Sequence, residues 1–282
     1  MKNRKSVSYY FAITSLLLGV GLLSYPTISN MINDHHSSKA IASYQEAVEK
    51  LDDDDYEEEI KKVKKHNAKL AQQGFLAAGQ DMERRDHYHH YQQRLNINED
   101  GMMGSIRIPK IHVQLPIYHT TNPDVIAHAI GHYIGSSLPM GGKSTHAILS
   151  GHRGLPSANL FSDLDQLNEG DIFYIDVLSK TLAYKVVMMK TIDPEDVSDL
   201  DIIHNKDYVT LLTCTPYGVN THRLIVRGER IPYRNDRADQ EKDLLGSYFY
   251  STTFKETLFV VGALIISMML WFVYKRKVQN KK

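Results

Sequence analysis

Three residues of this chain could together do covalent chemistry. Cys214, the only cysteine in 282 residues, ends the β-type run VTLLTC and stands directly before a turn. Arg223 follows nine residues later, at the head of a second β-type run. His152 comes just after the apolar run THAILS, inside Gly151-His152-Arg153-Gly154. A cysteine without a second cysteine makes no intramolecular disulfide, so it is either a structural thiol or a reagent. A free thiol titrates near ~8.5, and only a minor part is thiolate at neutral pH. A nearby imidazolium and guanidinium favour the thiolate, and the histidine can later protonate a leaving amine. A guanidinium stays charged and offers donors in a fixed plane, which suits a tetrahedral oxyanion or a peptide backbone. Each residue alone is weak; together they propose acyl transfer through a thioester. The chain order His, Cys, Arg speaks against a papain-type protease, whose cysteine precedes its histidine in a C-G-S-C-W-like context absent here. Arg227 and Arg153 compete for the guanidinium role. Arg227 lies four residues beyond Arg223, so on one strand the two share a face.

The elements that must position these residues read as β. Ile106, Ile108, Ile111, Val113, Leu115 and Ile117 alternate around Pro109, as half-buried strands do. Asn122 to Ala129 is a short helical candidate, and Thr145 to Ser150 is a strand. Asp171–Val177 and Thr181–Lys190 form a hairpin around Leu178-Ser179-Lys180, and Pro194–Leu200 reads as an acidic helical turn. Asp207–Cys214 and His222–Tyr233 supply the last strands. Many short strands with only small helices between them predict an all-β barrel or sandwich rather than a βαβ sheet.

Ahead of this domain, 37–97 is helical and polar. Ala40, Ile41, Tyr44, Ala47 and Val48 fall at helical spacing, and the acids at 52–55 and 57–59 lead into Lys61, Lys62, Lys64 and Lys65. Acid before base gives favourable i,i+4 pairs and suits the helix dipole. The acidic run lacks the alternating ligands and central glycine of a calcium loop, so it reads as a solvated helix start. Such helices form a stalk or pack on the outside of the domain. His87, His89 and His90 invite a metal reading, but no cysteine or carboxylate set accompanies them, and an exposed amphipathic segment explains them better. The turn-rich Asn96–Gly101 marks the boundary of a catalytic region spanning 98–233.

Composition and the two ends bound the setting. Lys plus Arg and Asp plus Glu stand at 33 each, so no bulk charge points to nucleic acid. Lys2, Arg4 and Lys5, in a basic stretch at 1–6, precede an apolar run at 7–26. A polar linker at 234–256 leads to a second apolar run at 257–274, followed by the basic tail 275–282. Each apolar run is near the ~20 residues that span a bilayer. Basic flanks on the outer side of both runs predict a two-pass protein in contact with membrane lipid, its termini cytoplasmic and its middle outside. The first run shows no small-x-small cleavage site, only Ser24-Tyr25-Pro26-Thr27, which favours a retained signal anchor.

Several long segments then resemble one family in order and spacing. GHRGLPSANLF (151–161), TCTPYGVNTHRLIVRGERIPY (213–233) and IRIPKIHVQLPIYHTT (106–121) are similar to class C sortases, the pilin polymerases of Gram-positive bacteria. The resemblance covers about 98–233 and implies an eight-stranded sortase-type β-barrel, preceded by N-terminal helices and flanked by two transmembrane helices. It implies a cysteine transpeptidase on the outer face of the membrane, with pilin subunits as partners and neither metal nor cofactor. Cys214 would attack the Thr-Gly bond of an LPXTG-like signal, His152 would be the general acid and base, and Arg223 would hold the scissile carbonyl or substrate backbone. A lysine amine of the next pilin would resolve the thioacyl-enzyme. A housekeeping sortase and a non-catalytic assembly scaffold are the competing readings. The sequence departs from the family in one place. Many pilus sortases carry an Asp-Pro-aromatic lid triplet before the barrel, and none occurs between Ser37 and Gly101. Asp86 and Tyr88 are the nearest substitutes by type, so either the lid is atypical or the site is open.

Overall fold

The structure is a computed structural model that describes residues 3–73 and 85–233, together with Gly262 and Ser267. Asn30–Asn235 form one compact unit, which contains the whole sheet. The elements in chain order are α1 (Asn3–Glu49), α2 (Asp53–Gln73), α3 (Arg85–Gln92), β1 (Met102–Ile108), β2 (Val113–His119), α4 (Pro123–Ile126), β3 (Ile130–His132), β4 (Thr145–Ser150), β5 (Ile172–Val177), β6 (Lys180–Ile192), β7 (Asp207–Thr215) and β8 (His222–Ile231). Short 3₁₀ turns at Pro109–Ile111 and Leu164–Gln166 complete them.

The eight strands close into a barrel in the order β1-β2-β3-β4-β7-β8-β6-β5. Two of its pairings are parallel, β2 with β3 and β4 with β7, and the others are antiparallel. Among the described residues every strand is paired on both sides. Because side chains alternate along a strand, each strand serves two faces. Val209, Leu211, Leu224 and Val226 enter the main core with Ile106, Phe173 and Tyr184. Their neighbours Ile148 and Ile225 belong to a second, smaller core with Ile192 and Leu200. That second core lies on the opposite face of the same strands, under the β6–β7 connection. Gly228 lets the barrel wall close: a Cβ there would come within 2.5 Å of the Phe173 ring.

The helices do not stand apart as a stalk. Ile41, Tyr44 and Val48 of α1 and Ile60, Val63 and Leu70 of α2 are buried in the main core. Tyr44 Oη donates to the Met103 carbonyl (2.9 Å) and accepts from the Leu178 amide (3.1 Å). Asn67 pairs with the backbone of Leu138 in both directions, at 3.1 and 2.8 Å. The acidic run begins α2 as expected: Asp52 Oδ1 accepts from the Asp55 amide at 2.8 Å, and Asp53, Asp54 and Asp55 occupy the first turn. In α3, Tyr91 is fully buried, lies 2.9 Å from His132 Nδ1 through its hydroxyl, and accepts from the Thr120 amide.

Two readings change, and the membrane spans fall largely outside the described residues. Pro194–Leu200 is a series of turns, not a helical turn, because Asp196 Oδ1 takes both the amide and the hydroxyl of Ser198. Such side-chain bonds compete with helical backbone pairing. Ile130–His132, which carries no strand pattern in the sequence, is a three-residue strand that bridges β2 and β4. Among the described residues no helix is long and apolar enough to cross a membrane. The run at 7–26 falls in α1, which continues unbroken through Pro26 to Glu49, and several of its side chains lie outside the described residues. The run at 257–274 lies outside them except for Gly262 and Ser267, as do 74–84, 234–256 and the basic tail.

Asn67 supplies the test of how firmly helix and barrel are joined. Asn67→Ala leaves the buried Leu138 amide unpaired, at about 1–3 kcal/mol, while the Leu138 carbonyl keeps the Met140 amide at 2.8 Å. Thermal or urea unfolding should show a loss in that range, with the transition still single because α2 and the barrel share one core.

Candidate active site

The parallel pairing of β4 with β7 brings His152 and Cys214 together. Ser150 is in register with Leu212. Beyond that pair the ladder continues through the Gly151 amide to the Leu212 carbonyl (3.1 Å) and Thr213 Oγ1 to the Gly151 carbonyl (2.8 Å). The next residue on each strand is His152 on one side and Cys214 on the other. Two parallel strands that end at one level thus deliver the imidazole and the thiol to the same rim. The antiparallel pairing of β7 with β8 sets Cys214 directly opposite Arg223. Three side chains from distant parts of the chain are placed by ladder registers alone.

Gly151 has to be glycine for this approach. A Cβ there would lie 2.7 Å from Ile130 Cδ1 and 2.8 Å from the Phe161 ring. His152 is tied at its backbone, where its carbonyl accepts from the Phe161 amide at 3.1 Å. Burial draws its pKa below the ordinary histidine value.

His152, Cys214 and Arg223 line one cleft of about 380 Å³. Its floor is Ser150, Gly151, Leu212 and Thr213. Thr121, Ile126 and Tyr133 form one wall, and Ile192, Pro194, Asp196, Val197 and Leu200 form the other. Cys214 is half-buried, so the thiol is sheltered yet reachable. The cleft is thus largely apolar, with a thiol, an imidazole and a guanidinium at one end, as an extended peptide site requires.

The three candidate arginines separate. Arg223 lines the cleft, with Nη1 donating to the carbonyls of Asn220 (3.2 Å) and His222 (3.0 Å). Arg227 is buried on the same strand, donates to the Asp199 carbonyl, and does not line the cleft. Arg153 turns away to Thr215 Oγ1 (3.1 Å) and the Asp165 carboxylate, and faces the Tyr217 ring at 6.0 Å. Of the three, Arg223 alone lines the cleft, while Arg153 is held by side-chain oxygens and Arg227 by a backbone carbonyl.

The lid candidate Tyr88 stands elsewhere. Tyr88 is half-buried against the main core, its ring 6.3 Å from that of Tyr91, and does not line the cleft. The side chain of Asp86 lies outside the described residues. What sequence reasoning missed is the other contents of the cleft. Thr213 fixes the Gly151 carbonyl, and the β6–β7 connection forms a wall. Their only sequence signal is position, next to the cysteine in one case and just after a long strand in the other.

A closed barrel with a thiol, an imidazole and a guanidinium at one rim defines a thiol-dependent acyl-transfer type of site. The sortase domain model matches residues 106–231. Sortase C1 from Streptococcus agalactiae is 47% identical, over 70% of this chain and 100% of that structure, with a TM-score of 0.66. A Clostridium perfringens sortase C, solved with the C-terminal cell wall sorting motif, is 38% identical over 70% of this chain and 100% of that one, with a TM-score of 0.59. Sortase D of Bacillus subtilis is 31% identical over 131 residues, 45% of this chain; the match takes in 63% of that relative's length. The chain belongs to the sortase family, with class C sortases among its structural neighbours.

Two measurements test the site. The His152 imidazole must be neutral to take the thiol proton, and its pKa is lowered, so kcat/KM for peptide cleavage should fall only below pH ~6.5, the unperturbed value. An acid midpoint above that value would contradict a half-buried, neutral base. Asp86→Ala combined with Tyr88→Phe should leave peptide cleavage within about twofold of the parent. A large gain in activity would show that these residues cover the cleft.

Proposed function

We propose that this protein is a pilin-polymerising transpeptidase held at the outer face of a Gram-positive cell membrane. The observation that carries the reading is the meeting of Cys214, His152 and Arg223 in one apolar cleft. The likeness to class C structures supports it, one of them solved with a sorting motif. The apolar runs at 7–26 and 257–274, each with a basic outer flank, support the membrane tether.

In this reading a pilin's LPXTG-like signal lies along the cleft with its Thr-Gly bond at Cys214. His152 takes the thiol proton as Sγ attacks the threonine carbonyl carbon, and the oxyanion that forms is met by the Arg223 guanidinium. The carbon–nitrogen bond breaks, and the departing glycine amine takes its proton from His152. The threonine acyl group remains on sulfur as a thioester. A lysine amine of the next pilin then attacks that carbonyl, gives a proton to His152, and displaces the thiolate. The product is an isopeptide bond, and the fibre is one subunit longer. No cofactor takes part in any of these steps.

Incubation of the protein with purified pilins carrying C-terminal sorting signals should give covalent high-mass ladders. Cys214→Ala should abolish them, and Arg223→Ala should lower kcat by about 10²-fold or more, the size of loss seen for oxyanion donors. Transfer only to a cell-wall amine would instead mark a housekeeping sortase. Ladders that persist in Cys214→Ala would reduce the protein to an assembly scaffold.

A further inference from the structure

The wall of the cleft opposite Thr121 and Tyr133 belongs to the β6–β7 connection, residues 193–206. It has no regular secondary structure. Val197 and Leu200 rest on Ile148, Ile225 and Leu212. Such apolar contact is non-directional and does not by itself choose one backbone conformation. Two buried polar side chains of the barrel supply the direction. Arg227 of β8, 8% exposed, donates through Nη2 to the Asp199 carbonyl and lies 3.6 Å from that residue's carboxylate. Its guanidinium sits 5.3 Å from the Tyr208 ring centre, and Lys190 Nζ holds the other carboxylate oxygen of Asp199 at 2.7 Å. Two residues on, the Asp201 carbonyl accepts from Nδ1 of His146, which is fully buried (2.9 Å). The opposite nitrogen, Nε2, takes the hydroxyl of Thr210 at 2.7 Å. Burial brings the His146 pKa down to about 4, so the ring is neutral, with its proton on Nδ1, at the pH at which the cleft works.

Leu200, which lines the cleft, lies between the two anchored residues. A buried guanidinium is costly unless its hydrogen bonds are made, and apolar packing alone would fill the same space. What Arg227 adds is a fixed address for Asp199. We propose that Arg227 and His146 are positioning residues for substrate recognition: they pin 199–201 and thereby set the wall against which the donor peptide lies. Arg223 and Arg227, four residues apart on one strand face, divide the work. The first meets the reacting carbonyl; the second shapes the groove. This rests on the reading of the cleft as a sorting-signal site.

Arg227→Met keeps the length of the side chain and removes its donors. For a sorting-signal peptide its KM should rise about tenfold while kcat stays within about threefold. Alkylation of Cys214 by iodoacetamide should stay within about twofold of the parent rate, because the thiol end is untouched. Amide hydrogen exchange should quicken at 196–201 and not along the β4, β7 and β8 ladders. Arg227→Lys, which restores a charge and a donor, should fall between the two. If Arg227→Met does not fold, Asp199→Asn removes the charge at the same contact and is read in the same way. A lower kcat at unchanged KM, unchanged exchange at 196–201, or faster exchange throughout the barrel would each overturn the proposal. If the unmodified protein does not cleave the peptide at all, the functional reading fails, and the exchange pattern alone decides whether the clamp exists.

Discussion

Everything at the site depends on one parallel pairing, that of β4 with β7. In an antiparallel pair the end of one strand meets the beginning of the next, and a histidine following β4 would lie far from a cysteine ending β7. Because the two run together, their C-terminal ends coincide, and Ser150 opposite Leu212 carries His152 to the level of Cys214. A one-residue slip in that register would turn each side chain to the other face of the barrel. The Thr213 hydroxyl on the Gly151 carbonyl and the burial of Ala147 and Leu149 in the main core oppose such a slip. Catalytic geometry is here a by-product of core packing: the residues that keep the barrel closed also keep the thiol and imidazole level.

The outer face of these strands is unusual in being a second interior. On β8, Leu224 and Val226 serve the barrel, while Arg223, Ile225 and Arg227 face the β6–β7 connection. Arginine is mostly exposed in proteins, and its presence under a loop has to be compensated by the Asp199 carbonyl and carboxylate. A strand that looks half-polar from its sequence is thus buried on both sides over much of its length. This explains how two arginines at identical spacing come to such different surroundings. Arg223 sits at the rim, where the connection opens into the cleft, and Arg227 lies beneath it.

How much of this was legible in the chain varies with the range of the interaction. The alternation of Ile106, Ile108 and Leu115, and the hairpin around Leu178, are local patterns that appear where expected. Cys214, His152 and Arg223 could be singled out because chemically capable residues stood at strand–loop junctions, and the likeness to sortases favoured Arg223 over Arg227. The reason for that choice was not legible, since it lies in Asp199, 28 residues from Arg227. Nor was the pairing of β4 with β7, whose partners are 62 residues apart. The stretch Pro194–Leu200 reads as an acidic helical turn from its residue types alone. Its backbone follows the bonds of Asp196 with Ser198, and a propensity scale does not contain them. The stretch at Ile130–His132 is too short to carry a period.

The division between ladder and loop has a consequence for how such a site can vary. Residues fixed by strand registers cannot move without the barrel, so the thiol, imidazole and guanidinium are rigid by construction. The β6–β7 wall is held instead by side-chain bonds from Arg227, His146, Lys190 and Ser144, with Val197 and Leu200 in the smaller core and Ile202 against the main one. Substitutions at Val197 and Leu200 can reshape the groove at little cost to the barrel, because these two side chains belong to the smaller core and the main core meets the connection at Ile202. The same separation limits what the wall can do. On the proposed reading, a change in 193–206 alters which peptide lies in the cleft and how long it stays, but it reaches the reacting carbonyl only by moving the peptide. Specificity and chemistry are thus carried by structures of different stiffness, joined on β8, where one strand holds the arginine of each.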